Sequence, residues 1–200
     1  EPTVSIDETV YVNLDHYGKT SNVNIVKGCS PNGLTQFTDY GAYTSVRNMS
    51  NEVQPSQGAD SVSWELSQPM NRFYYECTPK QEPTLPWTFD ISYKLNGVPA
   101  DPAKLAGASG LVEITIQAIP NKNAAQYYQN NLVLEVMATV DMADTLSIEA
   151  PGGQLQSMGS TTAAIFAALP GEEKEFTLRI GSNHFELGSI TMMMEPAKLS

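Results

Sequence analysis

Apolar and polar residues alternate along most of the chain, and helical periodicity is nearly absent. Val10, Val12 and Leu14 fall on one face of a predicted strand, because successive side chains of a strand point to opposite sides. A polar turn at residues 15–18 and renewed alternation at residues 23–25 predict a hairpin. The longest uninterrupted alternation covers residues 87–95. The pattern therefore predicts a chain built from β-sheets.

Further strands are predicted between clusters of Gly, Pro and Asn, at residues 37–47, 61–66, 72–77, 111–118, 131–140, 145–149, 161–168, 174–181 and 188–195. Residues 28–36 are predicted to form a loop around an Asn-Gly pair. A short helical turn is predicted at residues 101–107, where Asp101 is placed to cap it and Pro102 occupies its first position. A second helical turn is predicted at residues 123–129.

Three prolines within residues 78–86 mark the predicted domain boundary, because proline lacks the N–H donor of a β-ladder and has a fixed φ. We expect a small N-terminal β-unit at residues 1–83 and an immunoglobulin-like β-sandwich at residues 84–200, or one continuous domain made of these two parts. Seven predicted strands in roughly 115 residues are typical of such a sandwich. The Cys-Trp-Cys core of antibody domains is missing from this part of the sequence. The predicted fold class is all-β.

The composition limits the partners. The chain is 41% hydrophobic and 16% charged, and its net charge at neutral pH is −11. Nucleic acids and anionic membranes are bound mainly by basic side chains, so neither is an expected partner. The low charged fraction is typical of secreted or cell-surface β-proteins. No apolar run reaches the roughly 18 residues of a membrane-spanning helix, so we expect that this segment does not cross a bilayer.

Three stretches share their pattern with a known group of proteins: residues 8–15 with the Gly18-Lys19 pair, residues 85–97 and residues 105–114. They resemble the extracellular region of large membrane-anchored surface proteins of Gram-positive bacteria, related to the YhgE/Pip-type group. The resemblance implies a cell-surface ectodomain of uncharacterised role that is tethered to the membrane in the full polypeptide. It supplies no functional residues. We interpret residues 195–200 as the beginning of a tether and expect an excised ectodomain or a mature product.

Cys29 and Cys77 are the only cysteines. A disulfide between them would close a loop of about 50 residues and contribute about 4 kcal/mol on the chain-entropy interpretation. The alternative is two separate thiols, and sequence spacing does not decide between them. The residues around Cys29 match no signature of a catalytic nucleophile, so a catalytic role is not predicted.

Aromatic residues supply the candidate ligand-binding surface. Tyr74 and Tyr75 are adjacent on a predicted strand, so one of them should face solvent. Together with Trp64 and Tyr43 they form a candidate surface for stacking on sugar rings or on a peptide. The alternative for all four is ordinary packing.

Metal and catalytic chemistry is not indicated. His16 and His184 are the only histidines, and both fall in predicted turns without the spacing of a zinc site. Asp141 and Asp144 suggest calcium, but no Asp-rich calcium loop surrounds them. No Gly-x-Ser-x-Gly elbow is present. We therefore predict no metal and no cofactor.

The combined expectation is a non-catalytic extracellular surface module, structural or recognising an extracellular protein or glycan. The alternatives are a carbohydrate-binding module and, less favoured, a hydrolase that uses two carboxylates brought together by folding.

Overall fold

The computed structural model describes residues 3–197 of the chain, and these residues form a nearly all-β protein of antiparallel sheets in a sandwich-like arrangement. The chain divides into two compact units. Unit 1 is Glu1–Tyr11 with Val23–Pro83, and unit 2 is Val12–Asn22 with Thr84–Ser200. Residues 12–22, which the sequence placed in the N-terminal unit, belong to unit 2. The predicted tether lies outside the described residues from position 198 onward.

Unit 1 contains two sheets. One has the strand order β2-β7-β4, and the other has the order β3-β6-β5. The strands of this part of the chain are β1 Ser5–Leu14, β2 Thr20–Ser30, β3 Gln36–Tyr40, β4 Tyr43–Asn48, β5 Ser56–Gln57, β6 Ser61–Glu65 and β7 Phe73–Pro79. The hairpin turn between β1 and β2, with the strand residues next to it, lies in unit 2.

Two predictions in unit 1 are wrong. The strand predicted at residues 37–47 is two strands, β3 and β4, interrupted at residues 41–42. The loop predicted at residues 28–36 is shorter, because Gly28 and Cys29 continue β2 and pair with Tyr74 and Phe73 of β7. The turn itself is formed where expected, with Asn32 and Gly33 both at positive φ.

Unit 2 contains a sheet of order β13-β14-β11-β16 and a sheet of order β12-β15-β10-β8-β9. Its elements are β8 Trp87–Leu95, β9 Val98–Ala100, β10 Gly110–Pro120, α1 Gln126–Asn131, β11 Leu132–Asp141, β12 Thr145–Glu149, β13 Gln154–Met158, β14 Thr161–Ala168, β15 Lys174–Ser182 and β16 Ile190–Pro196. The predicted capped turn is confirmed: Asp101 accepts a hydrogen bond from the Ala103 N–H at the start of a 3-10 turn, Pro102–Lys104. The immunoglobulin-like subtype stays a prediction.

Alternation along the strands builds the core of unit 2. Phe166 of β14 stacks on Phe176 of β15, with ring centroids 5.0 Å apart, and this contact joins the two sheets. Ile116 and Val136 are buried beside them, one from each sheet. Each such side chain contributes about 1.5–3 kcal/mol relative to an exposed position. No helix in the described residues is long and apolar enough to cross a membrane.

A buried lysine cluster as candidate functional site

The largest concentration of polar chemistry inside unit 1 surrounds a lysine. We define the Lys27 cluster as Lys27 of β2, Asp39 of β3, Glu8 of β1, Tyr43 of β4 and Tyr75 of β7. Lys27 lies directly opposite Tyr75 in the antiparallel register of β2 and β7. Five strands thus each contribute one member, so the cluster exists only when unit 1 is folded.

Lys27 is bound by two carboxylates. Its Nζ lies 2.6 Å from Oδ2 of Asp39 and 3.2 Å from Oε1 of Glu8. Lys27 is 1% exposed and Asp39 is 8% exposed, whereas the side chain of Glu8 is 37% exposed. Removing an ammonium group from water is costly unless the charge is paired and hydrogen-bonded. The buried carboxylate of Asp39 and the partly exposed carboxylate of Glu8 both pair with the Lys27 ammonium.

Two tyrosines complete the cluster. The Tyr75 hydroxyl donates a 2.8 Å hydrogen bond to Oδ2 of Asp39, the same oxygen that Lys27 contacts. The Tyr43 ring centroid lies 5.1 Å from Nζ of Lys27, within the range of a cation–π interaction. The orientation of the Asp39 carboxyl group is therefore set by two donors at once.

Aromatic rings pack against Tyr75, one member of the cluster. Trp64 packs against Phe73 and Tyr75 with centroid distances of 4.7 Å and 5.0 Å. All three rings are at most 1% exposed. The indole Nε1–H of Trp64 has no hydrogen-bond partner within the described part of the chain. Because Lys27 and Asp39 are almost fully buried, the electrostatic interaction between them is stronger than it would be in water.

This environment shifts the pKa values of the cluster. Burial alone would lower the pKa of Lys27, but the hydrogen bonds to Asp39 and Tyr43 and the charge of Glu8 outweigh it and hold that pKa above its usual value. Burial, followed by the neighbouring Cys29 and Asp39, raises the pKa of Tyr75. At neutral pH Lys27 is therefore an ammonium ion and Tyr75 a hydrogen-bond donor.

The disulfide candidate is not formed. Cys29 and Cys77 are both buried free thiols. In the register of β2 and β7, Cys29 lies opposite Phe73 and Cys77 lies opposite Ile25. The two cysteines are thus four residues apart along the sheet, which is about 13 Å at the rise of a strand. A disulfide requires Cα atoms within about 7 Å, so of the two alternatives the structure has two separate thiols.

The four aromatic residues proposed as a ligand-binding surface do not come together at the surface. Trp64, Tyr75 and Tyr43 are 1%, 0% and 9% exposed, because they face the core of unit 1. Tyr74 is 42% exposed, as the alternation of the strand predicts for one of the two adjacent tyrosines. The guanidinium carbon of Arg72 lies 5.2 Å from the centre of the Tyr74 ring. Tyr74 is thus the one member able to meet a ligand.

The other singled-out side chains take part in turns. His16 lies in the β1–β2 turn, and His184 lies in a bend with an exposed side chain. Oδ1 of Asp141 accepts the Ala143 N–H, and the backbone carbonyl of Asp144 accepts a hydrogen bond from Ser182. Across residues 3–197, no three His, Cys, Asp or Glu side chains are arranged to hold a metal ion.

Two surface grooves are lined by residues outside the Lys27 cluster. A groove of about 390 Å³ on unit 2 is lined by three glutamates, Glu135, Glu172 and Glu195, together with Lys174. Lys174 Nζ lies 3.5 Å from Glu172. A groove of about 640 Å³ on unit 1 contains a single carboxylate, that of Glu52. A further pocket of about 120 Å³ is lined by three carboxylates, Asp141, Asp144 and Glu186. The hydrolase alternative stays a prediction.

The Lys27 cluster was not predicted from the sequence, although the sequence contains one signal of it. Val23, Ile25 and Cys29 share a face of β2, and Lys27 has the same parity as these three. A lysine on the apolar face of a strand needs a buried partner. The identity of that partner depends on how β3 folds over β2, which no local pattern specifies.

No known family model matches the chain, and no curated protein sequence matches it either. The resemblance to Gram-positive surface proteins therefore stays a prediction.

Proposed function

We propose that this chain is a non-catalytic extracellular module of a membrane-anchored surface protein, structural or recognising a protein or glycan. The observation that carries the proposal is that the reactive side chains of the Lys27 cluster point into the core of unit 1 and bind one another. The ammonium of Lys27, the carboxylate of Asp39 and the hydroxyl of Tyr75 bind one another inside the core of unit 1. Their bonds connect β2, β3 and β7, so their chemistry is used to hold strands together.

The extracellular location rests on composition. The charged fraction of 16% and the net charge of −11 suit a protein that is displayed to water and avoids anionic surfaces. The pattern shared with Gram-positive surface proteins supports the same location and the membrane tether.

A carbohydrate-binding module is the second candidate function, and Tyr74 favours it. The guanidinium of Arg72 lies over its half-exposed ring and also donates a 2.8 Å hydrogen bond to the Ser30 hydroxyl. A partly exposed aromatic ring next to a fixed cation provides apolar contact and hydrogen bonding at one place. This arrangement suits a polar ligand with an apolar face, such as a sugar ring.

The location is tested by antibody labelling of cells that naturally produce the protein. An antibody raised against the folded protein should label intact cells as strongly as permeabilised cells. Digestion of intact cells with an added protease should remove the labelled material from the cell fraction. Labelling that appears only after permeabilisation would contradict the proposal.

A further inference from the structure

We propose that Lys27 and Asp39 are joined by an intramolecular amide bond between Nζ of the lysine and Cγ of the aspartate. This covalent link is independent of the proposed function, because it concerns the maturation of unit 1 alone. It would connect β2 to β3, which belong to different sheets of unit 1.

The positions of the reacting groups carry the proposal. Nζ of Lys27 is 2.6 Å from a carboxyl oxygen of Asp39, and the two side chains are only 2% and 11% exposed. Groups held in contact within a rigid core react as if at very high concentration, with effective molarities of about 10⁵–10⁸ M. The fold therefore holds an amine and a carboxyl group together for the whole lifetime of the protein.

The bond forms by condensation, and its atoms balance. One proton passes from Nζ to the Asp39 carboxylate, which gives a neutral amine and a carboxylic acid. The nitrogen then attacks Cγ, and a C–N bond forms. The nitrogen loses a second proton, a C–O bond of the carboxyl group breaks, and the oxygen leaves as water. Neither an oxidant nor any co-reactant is required.

Two neighbours suit this reaction. Oε1 of Glu8 lies 3.2 Å from Nζ, where it can accept the proton that the attacking nitrogen loses and return it to the leaving hydroxyl. The Tyr75 hydroxyl donates to Oδ2 of Asp39, where it stabilises negative charge that develops on the carboxyl group. Glu8 reaches solvent with part of its side chain, so the released water has a way out.

The apolar surroundings favour the product. Two charges buried in the core of unit 1 have lost most of their hydration, and this loss is only partly recovered by their attraction. An amide has no net charge and a smaller desolvation cost. Exclusion of bulk water from the core also opposes hydrolysis of the bond once it has formed.

The first test is the intact mass of the purified, fully denatured protein. If the bond forms, the mass is lower than the sequence mass by one water molecule. The Lys27→Met variant should have its full sequence mass. The matched control is Lys19→Met, at an exposed lysine of the β1–β2 turn, and it should show the same loss of water as the wild type. A wild-type protein that keeps its full sequence mass after prolonged incubation in the folded state would overturn the proposal.

Tryptic mapping of the wild type decides the site without any variant. Trypsin cannot cleave after a lysine whose Nζ is acylated, so residues 20–47 should appear as one peptide lacking one water. A cyclic imide at Asp39 also loses water but leaves cleavage after Lys27 intact. Loss of water together with normal cleavage at this lysine would therefore overturn the amide bond, and this readout does not depend on whether Lys27→Met folds.

The role of Glu8 is tested by rate. In Glu8→Gln the proton carrier is removed while the size of the side chain is kept, so we expect the water-deficient form to accumulate about 10²-fold more slowly. The fraction is followed by mass spectrometry from the moment of refolding. An unchanged rate would overturn the assignment of Glu8 as the proton carrier.

Discussion

Gly18 lies against the backbone of Phe89, so closely that a Cβ atom on this glycine would come 2.6 Å from the Phe89 carbonyl oxygen. Gly18 also has a φ of +100°, which side-chain-bearing residues rarely adopt. The neighbouring Tyr17 carbonyl accepts a hydrogen bond from the Ile91 N–H. The turn between β1 and β2 is thereby fixed to β8 within unit 2.

We expect Gly18→Ala to destabilise unit 2 strongly. The positive φ costs about 1–2 kcal/mol for alanine, and the collision with the Phe89 backbone adds about 1–3 kcal/mol. The control is Gly97→Ala, where φ is +82° and nothing lies within 4 Å of the added Cβ. Urea unfolding should therefore show a larger loss for Gly18→Ala, and equal losses for the two variants would contradict the close contact.

Both cysteines should be unreactive in the folded protein. Burial raises the pKa of Cys29 to about 11 and that of Cys77 to about 12, so thiolate, the reactive form, is scarce at neutral pH. A thiol reagent should detect no free thiol in the native protein and two after denaturation without reductant. If the denatured sample contained no free thiol, the two cysteines would be joined by a disulfide, and the prediction would be wrong.

Stability should fall at alkaline pH. The thiol pKa values of Cys29 and Cys77 rise from 9.0 in the unfolded chain to about 11 and about 12 in the folded protein. Between these values the folded state holds more protons than the unfolded state, so the free energy of unfolding decreases as pH rises. The stabilisation is fully present below about pH 9 and is lost through about pH 12.

The measurement for this prediction is the urea midpoint at a series of pH values. Cys29→Ala should show a shallower decline above about pH 9 than the wild type, because one of the two titrating thiols is gone. Tyr43, Tyr75 and Lys27 also have raised pKa values, so part of the decline remains. A midpoint that rises with pH in this interval would contradict the assignment.

Tyr74 should be the contact residue if the module binds a glycan or peptide. On an array of glycans and peptides, Tyr74→Ala should weaken any specific binding by at least about tenfold, as removal of a central aromatic contact does. Tyr40→Ala is the matched control, because Tyr40 is 78% exposed and also lies in unit 1. Binding that survives Tyr74→Ala but is lost in Tyr40→Ala would reject the assigned surface.

The fold was largely predictable because alternation is a local signal. The strand at Trp87–Leu95 was predicted to the residue, since its apolar residues recur at every second position. The strand at Gln154–Met158 was missed, because all five of its residues are exposed and no apolar face marks it. The strands β5 and β9 were also missed, because two and three residues are too few to show an alternating pattern.

The candidate site was less predictable, because it depends on which strands meet. Alternation showed that Tyr74 and Tyr75 face opposite sides, but it did not show that Trp64 and Tyr43 cover Tyr75 in the core. Charge gave no indication either that Lys27 and Asp39, twelve residues apart, form a buried pair. Such pairings follow from the packing of one sheet on another, which a single strand's pattern does not encode.

The central claim is that Lys27 and Asp39 are structural partners in the core of unit 1. The most direct test is the free energy of unfolding of Lys27→Met, Asp39→Leu and the double variant. A Trp87→Phe background leaves Trp64 as the only tryptophan, so its fluorescence reports on unit 1. Because the double variant is compared with the single variants, which also lack an amide bond, the comparison holds whether or not the wild type is cross-linked.

Each single variant leaves a buried charge without its partner and should lose about 3–5 kcal/mol, whereas the double variant replaces the pair by apolar side chains and should lose less than either. A double variant that is less stable than either single variant would contradict the claim.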